Sequence, residues 1–128
     1  MAQDLKKAAY GDRLEDFAVR IIRFAAVLPK TEIGKHIAGQ SLRAGTSPGA
    51  NYAEAQGAES RADFAHKMNI VVKELRETRF WLRVSAKASL IPESKLSKLM
   101  NEVDELIAIG IASAVTAKKN ARQKGRSS

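Results

Sequence analysis

The fold is decided by a stretch in the middle of the chain, residues 60–89, which reads SRADFAHKMNIVVKELRETRFWLRVSAKAS. Apolar or small residues recur along it at alternating intervals of four and three, the spacing of a helix that buries one stripe in a bundle. Ser60 is a favourable N-cap and Asp63 stands three residues later, so the helix is predicted to begin here and to run to about Ser89. The stripe consists of Phe64, Met68, Val71, Leu75, Thr78, Leu82 and Ser85.

Two further segments, one on either side, repeat the spacing of three and four. The first runs from about Asp12 to Leu28; Asp12 can cap its start, and Pro29 ends it. The last begins at Pro92, a residue favoured in the first turn of a helix, and fades around Lys118. Both segments are predicted to be amphipathic helices.

The segment from about Thr31 to Gln56 is also predicted to be helical, although glycine and proline interrupt it. An interior glycine costs about 1 kcal/mol of helix propensity and proline about 3 kcal/mol, so a kink or a break is expected near Gly45–Gly49. Short connections favour antiparallel neighbours. The sequence thus predicts an all-α, antiparallel up-down-up-down four-helix bundle over residues 1–118. A basic, polar tail over residues 119–128 is predicted to be disordered.

The composition is typical of a globular protein with one domain. The 128 residues are 45% hydrophobic, which is enough for one core. The absence of cysteine excludes disulfides and thiol catalysis and favours a reducing compartment. The first ten residues lack the apolar core of a signal peptide, and no apolar run is long enough to span a bilayer. A cytoplasmic protein without a membrane partner is therefore expected.

The charge balance favours anionic partners. The net charge is +8, from 22 Lys and Arg against 14 Asp and Glu, and nucleic acid is the usual partner of such a protein. Four cations of helix three fall within about 80° of one another and match the spacing of a run of phosphates. A solvated face, or one paired with acids of a neighbour such as Glu102, Asp104 and Glu105, is an equal alternative. The candidate nucleic-acid-binding residues are Arg76, Arg79, Arg83 and Lys87 on the helix, with Lys118, Lys119 and Arg122 at the end of the chain.

A second apolar flank lies about 100° from the stripe on helix three. A monomeric bundle needs only one stripe per helix, so a second one that includes a tryptophan favours a subunit interface. The alternative is that Trp81 only widens the core of its own bundle. The candidate interface residues are Ile70, Trp81 and Ala88, with Phe80 and Val84 further round.

Charged residues lie between the stripe and this flank. Asp63 and Lys67 are four residues apart and Lys67 and Glu74 seven apart, so they can form a ladder, with Glu77 further round. Charges beside apolar neighbours must pair when they are buried. We interpret them as a structural network that fixes helix register; an anion or metal site is the less favoured alternative.

Three motifs with possible chemistry fail on inspection. The string Gly45–Gly49 matches G-x-S-x-G, but a nucleophile elbow needs a strand before it, and none is predicted. Asp63 and His66 resemble half of a di-iron motif, yet the residue in the equivalent place before His36 is Ile33. No phosphate-binding glycine loop is present, and the seven aromatic residues lie mostly on the stripes. Neither an enzyme nor a cofactor or metal site is expected.

Residues 43–55, RAGTSPGANYAEA, resemble the signature of the bacterial four helix bundle protein family, also called the 23S ribosomal RNA intervening-sequence protein family. The resemblance continues through AESRADF (58–64), HK (66–67), KELRET (73–78) and FWL (80–82), with LPK (28–30) and Gln40 upstream. The first and last segments match only in pattern. The chain departs from the family at Pro48, where Val or Ile is usual, and at Ala44, often Ser.

The resemblance implies a four-helix bundle that assembles into a ring, a homopentamer. Some members of the family are encoded within insertions in 23S ribosomal RNA genes. A related group serves diversity-generating retroelements, where a basic barrel binds reverse transcriptase and RNA. The family offers no catalytic residue to carry over.

Two polar residues of the signature then gain a structural interpretation. Asn51 lies mid-helix, where its propensity is poor, so it is predicted to hydrogen-bond a neighbouring helix. Glu54 is predicted to reach Lys67 or Arg43 across the bundle. Two functions remain in competition: an oligomeric module that binds nucleic acid or a nucleic-acid enzyme, and a homo-oligomer with a purely structural role.

Overall fold

A computed structural model describes the backbone of residues 2–127 and the side chains of residues 9–123. Four helices follow one another: α1 over Ala2–Val27, α2 over Glu32–Gln56, α3 over Arg61–Lys87 and α4 over Ser97–Ser127, with a 3₁₀ turn at Glu93–Lys95 before α4. No strand occurs in residues 2–127. The predicted all-α four-helix arrangement is confirmed.

The beginnings of α2 and α3 are set by hydroxyl caps. Thr31 Oγ1 accepts a hydrogen bond from the Gly34 amide at 3.1 Å, and Ser60 Oγ accepts one from the Asp63 amide at 3.0 Å. The Asp63 carboxylate in turn accepts from the Glu59 amide at 3.2 Å, so side chains bond both sides of the helix start. These bonds satisfy amides that a helix leaves unpaired in its first turn.

Helix α2 passes through Pro48 without a break, contrary to one of the two expectations for this segment. Proline lacks the amide that would bond the carbonyl four residues earlier, that of Ala44. The Ser47 hydroxyl donates to the Ala44 carbonyl oxygen at 3.4 Å instead. Pro48 itself is buried between helices, so packing offsets part of its poor helix propensity.

Helix α4 is longer than the sequence indicates. It was expected to fade near Lys118, but it continues to Ser127. Alanine, lysine, arginine and glutamine dominate this segment, and all four have high helix propensity.

The core lies where the stripe of α3 meets the other helices. Six of the seven stripe residues of α3 are buried, and Phe64 is half-buried. The buried Thr78 and Ser85 hydroxyls donate to the carbonyls of Glu74 and Trp81, each at 2.8 Å, so neither is an unpaired polar group. The interfaces of α3 with α2 and with α4 are the most extensive, and the one between α1 and α4 is much smaller. Helix α3 is therefore the central helix of the bundle.

Helix α1 contacts α4 through residues in the N-terminal half of α1. The buried Tyr10 hydroxyl donates to the Leu106 carbonyl at 2.8 Å, and burial raises the pKa of Tyr10. Arg13 makes two bonds to the Glu102 carboxylate, at 2.6 and 3.1 Å, and lies 3.5 Å from the Glu105 carboxylate. The bond to Glu102 raises the pKa of Arg13. These contacts tie the first and last helices together.

None of the helices in the described part of the chain combines the length and the apolar character that crossing a membrane requires.

Candidate nucleic-acid interface

The outer face of α3 carries the predicted row of cations. Arg76, Arg83 and Lys87 are exposed and Arg79 is half-buried. Together with Phe80 and Val84 these four side chains line a hollow of about 400 Å³. Since α3 packs on α2 at one side and on α4 at the other, this face is held rigidly by the most extensive interfaces of the bundle. The row therefore stands on a fixed surface.

The four cations of the row are not equivalent. Arg79 Nε lies 3.1 Å from Asp104 Oδ1 of α4, although the geometry is not that of a hydrogen bond. Arg76, Arg83 and Lys87 form no ion pair within residues 9–123. The acid Asp104, foreseen as a partner in a neighbouring element, thus neutralises one member of the row. Three cations are left available to an external anion.

A second hollow, of about 370 Å³, lies between the end of α3 and the start of α4. Ala86 and Met100 contribute apolar surface to its lining, above the buried Leu82 and Leu96, and Glu93, Ser97 and Asn101 contribute polar groups. Arg83 and Lys87 line this hollow as well as the first one. These two cations therefore form a ridge between two depressions of similar size.

The three candidate cations of α4 lie apart from the row. Contacts between Arg79 and Asp104 and between Val72 and the Gly110 position fix how α3 and α4 align. At 1.5 Å per residue, Lys118 lies about 16 Å further along the axis than Arg76. Arg122 shares a face with Lys118, whereas Lys119 points about 100° away. All three side chains are exposed, but the structure does not bring them to the row on α3.

The polar residues of the predicted network form separate ion pairs. Lys67 Nζ lies 3.3 Å from Asp63 Oδ2, as the spacing of four residues predicts. Glu74 and Glu77 pair with Arg43 of α2, the former at 3.3 Å, so the ladder from Lys67 to Glu74 does not form. Within the part of the chain whose side chains are described, no hydrogen bond or ion pair joins Asn51 to a neighbouring helix or Glu54 to Lys67 or Arg43.

Sequence reasoning missed the role of Arg13 and underrated that of Arg43. Each joins one helix to two acids of another: Arg43 to Glu74 and Glu77, and Arg13 to Glu102 and Glu105. The signal was present, because each pair of acids is spaced by three residues and so shares a helix face. Which arginine faces them depends on the alignment of helices, which spacing along one helix does not provide.

The predicted apolar flank of α3 is only partly exposed to solvent. Phe80 is 55% exposed and Ala88 is exposed, while Ile70, Trp81 and Val84 are half-buried. The Trp81 ring contacts His36 of α2 edge-on, with centroids 5.9 Å apart, and Phe80 at 5.0 Å. Its indole nitrogen is buried and has no hydrogen-bond partner among the described residues. Trp81 thus belongs partly to the core of its own chain, and Phe80 is the most exposed large member of the flank.

The strings with possible catalytic meaning have structural roles. Gly45–Gly49 lies wholly inside α2, no strand precedes it from residue 2 onward, and the Ser47 hydroxyl bonds the backbone of its own helix. Asp63 caps α3 and pairs with Lys67, while His66 is exposed. Within the described residues no group of three or more His, Asp or Glu side chains is placed to hold a metal ion.

Fold and surface together define a class: small all-α four-helix bundles with a basic outer face. The chain belongs to the 23S rRNA-intervening sequence protein family, whose model matches residues 8–112. A crystal structure of a protein of unknown function from the S23 ribosomal protein family of Bacteroides thetaiotaomicron is similar, with 36% identity and a TM-score of 0.76. The match covers 80% of this chain and 95% of that one. The comparison with curated proteins finds no match. The resemblance drawn from residues 43–82 is confirmed.

Proposed function

We propose that this is a non-enzymatic, cytoplasmic binding and scaffold protein that contacts RNA, DNA or a nucleic-acid enzyme such as a reverse transcriptase. One observation carries the proposal: Arg76, Arg83 and Lys87 stand on one rigid face without an ion pair among the described residues. Like charges held this close repel one another, and a run of phosphates relieves the repulsion. The net charge of +8 also attracts a polyanion at longer range.

Replacing the three unpaired cations together, as Arg76→Gln/Arg83→Gln/Lys87→Gln, is expected to weaken RNA binding and flatten its salt dependence. Each phosphate contact contributes about 0.7 to 0.9 to the slope of log K against log salt, so the slope should fall by about 2. Fluorescence anisotropy with a labelled structured RNA, repeated at several salt concentrations, measures both quantities. Arg79→Gln should change the slope less, since Asp104 already neutralises that side chain.

A matched control removes the same charge elsewhere. Arg23, Lys35 and Arg61 are exposed cations outside the row, and their triple replacement by glutamine should leave the slope within a few tenths of the wild-type value. Binding by the wild type that ignores salt, or no binding at low salt, would contradict the proposal. An equal loss of RNA affinity and of salt slope in both triple variants would mean that binding depends only on the net charge of the protein.

A homo-oligomer with a purely structural role is the second candidate, and the resemblance to the family favours a homopentamer. Its support is the amount of apolar surface left open on the single chain. Among the described residues eight large apolar side chains are more than a third exposed: Val19, Ile22, Val27, Ile33, Phe80, Ile109, Ile111 and Val115. Val19 with Ile22, and Ile111 with Val115, are neighbours on the surface of their helices, and contiguous exposed apolar surface marks interaction sites.

Light scattering on a size-exclusion column tests this candidate. The wild type is expected to elute as a multiple of its 14.0 kDa chain mass. Ile70→Glu, on the half-buried flank of α3, should reduce the mass to that of one chain because a charge would enter the contact. Ala50→Glu on α2, at an exposed residue outside both the flank and the eight exposed apolar side chains, is the control, and circular dichroism checks that both variants are folded. A wild type that is monomeric at micromolar concentration would exclude the oligomer.

A further inference from the structure

We infer that the ligand of the basic face is single-stranded rather than duplex nucleic acid, an inference that rests on the function proposed above. Arg76, Phe80, Arg83 and Lys87 follow one another at intervals of four, three and four, so they form a single stripe of α3. An aromatic ring is thus inserted into the row of cations itself. Phe80 is 55% exposed there, although most aromatic side chains of the chain are buried or half-buried.

An exposed aromatic ring between cations has a specific use in nucleic-acid binding. Base faces stack on aromatic side chains, while neighbouring Arg and Lys side chains bind the phosphates. Phe80 lines the same hollow as Arg76 and Arg83, so a base on the ring would leave its phosphate beside a cation. Composition had indicated no stacking platform, because most aromatic residues lie on buried stripes; the structure shows that Phe80 does not.

The second hollow supplies a place for another base. It lies on the far side of Arg83 and Lys87 from Phe80 and combines the half-buried apolar side chains of Ala86 and Met100 with the amide of Asn101 and the carboxylate of Glu93. A phosphate on the ridge would have one neighbouring base over Phe80 and the other in this hollow, where Asn101 can donate and accept hydrogen bonds. The two hollows and the ridge together match one step of an unpaired strand.

A duplex would leave most of this surface unused. Its base faces are stacked inside the helix, so a protein without an element inserted in a groove contacts mainly phosphates and sugars. The cations of the stripe would serve such a ligand, but the exposed ring of Phe80 and the apolar lining of the second hollow would not. The arrangement therefore favours a strand whose bases are free.

The test compares a labelled RNA strand of about 12 nucleotides, alone and annealed to its complement, by fluorescence anisotropy at one moderate salt concentration. The single strand is expected to bind about tenfold more tightly. Phe80→Ala should weaken single-strand binding about tenfold and leave duplex binding and the salt slope unchanged. Phe80→Trp should retain single-strand binding because the ring is kept.

Ile33→Ala is the matched control, since Ile33 is 67% exposed at the start of α2 and lies outside both hollows. Duplex binding as tight as single-strand binding, with no effect of Phe80→Ala, would overturn the inference while leaving the proposed function intact. Absence of salt-dependent binding to either RNA would overturn both. A change of assembly mass in Phe80→Ala, measured by light scattering, would assign the ring to a subunit contact and overturn the inference as well.

Discussion

Replacing Gly34 by alanine is expected to destabilise the protein by about 3 kcal/mol or more. A Cβ atom at this position would lie 1.9 Å from the carbonyl oxygen of Pro29 and 2.8 Å from its carbonyl carbon. Both are backbone atoms, so no side-chain rotation can relieve the overlap. The connection between α1 and α2 would have to move, and the bond between the Gly34 amide and Thr31 Oγ1 would be lost with it.

Thermal and urea unfolding measure the effect of Gly34→Ala, and a fall in the melting temperature of roughly 10 °C is expected. The control is Gly39→Ala in the same helix, where an added Cβ has no atom within 4 Å. Because alanine has the higher helix propensity, that variant should be more stable than the wild type by about 1 kcal/mol. If both variants changed stability in the same direction, the close approach of Pro29 would not be the cause.

Replacing Gly45 by alanine is expected to cost about 2 kcal/mol, net of the gain in helix propensity. The new Cβ would lie 2.7 Å from both γ-carbons of Ile21, which is fully buried on α1. Helices α1 and α2 approach closely at this point because the glycine has no side chain. The added methyl group must either displace Ile21 or separate the two helices, and either change loses packing in the core.

A double-mutant cycle isolates this contact. Ile21→Ala alone should cost about 3 kcal/mol through the cavity it leaves. Combined with Gly45→Ala, it should cost less than the sum of the two single changes by about 1 kcal/mol, because the shortened side chain makes room for the methyl group. Urea unfolding of the four proteins gives the coupling energy. Strict additivity would show that the two residues do not compete for space.

Both predictions concern how α2 is placed, and α2 in turn positions the proposed binding face. Arg43 of α2 pairs with Glu74 and Glu77 on one side of α3, while Asp104 of α4 faces Arg79 on the other. The acids and the free cations of α3 are thereby separated onto different sides of the helix. We expect this separation to keep the acids away from an incoming anion, which a helix with mixed charges on its outer face would repel in part.

Local sequence signals predicted those features that are determined within a single helix, such as its buried face and its beginning. The spacing from Phe64 to Ser85 gave the buried face of α3, and Ser60 with Asp63 gave its beginning, since caps and periodicity need no distant residue. The break that this reasoning allowed at Pro48 does not occur, because packing between helices and a bond from Ser47 offset proline's poor propensity. The same reasoning also ended α4 too early, near Lys118, although most of the residues that follow are good helix formers.

The sequence by itself therefore determined the number of helices, the buried face of α3, the basic character of the chain and its family, because propensity, period and signature are properties of neighbouring residues. The tertiary structure alone decided which charges remain free. Asp104 reaches Arg79, Arg43 reaches Glu74 and Glu77, and Phe80 stays exposed beside unpaired cations. Such pairings depend on the axial offset and the rotation of each helix relative to its neighbour. Residues distant in the chain set that alignment through the packing of the core.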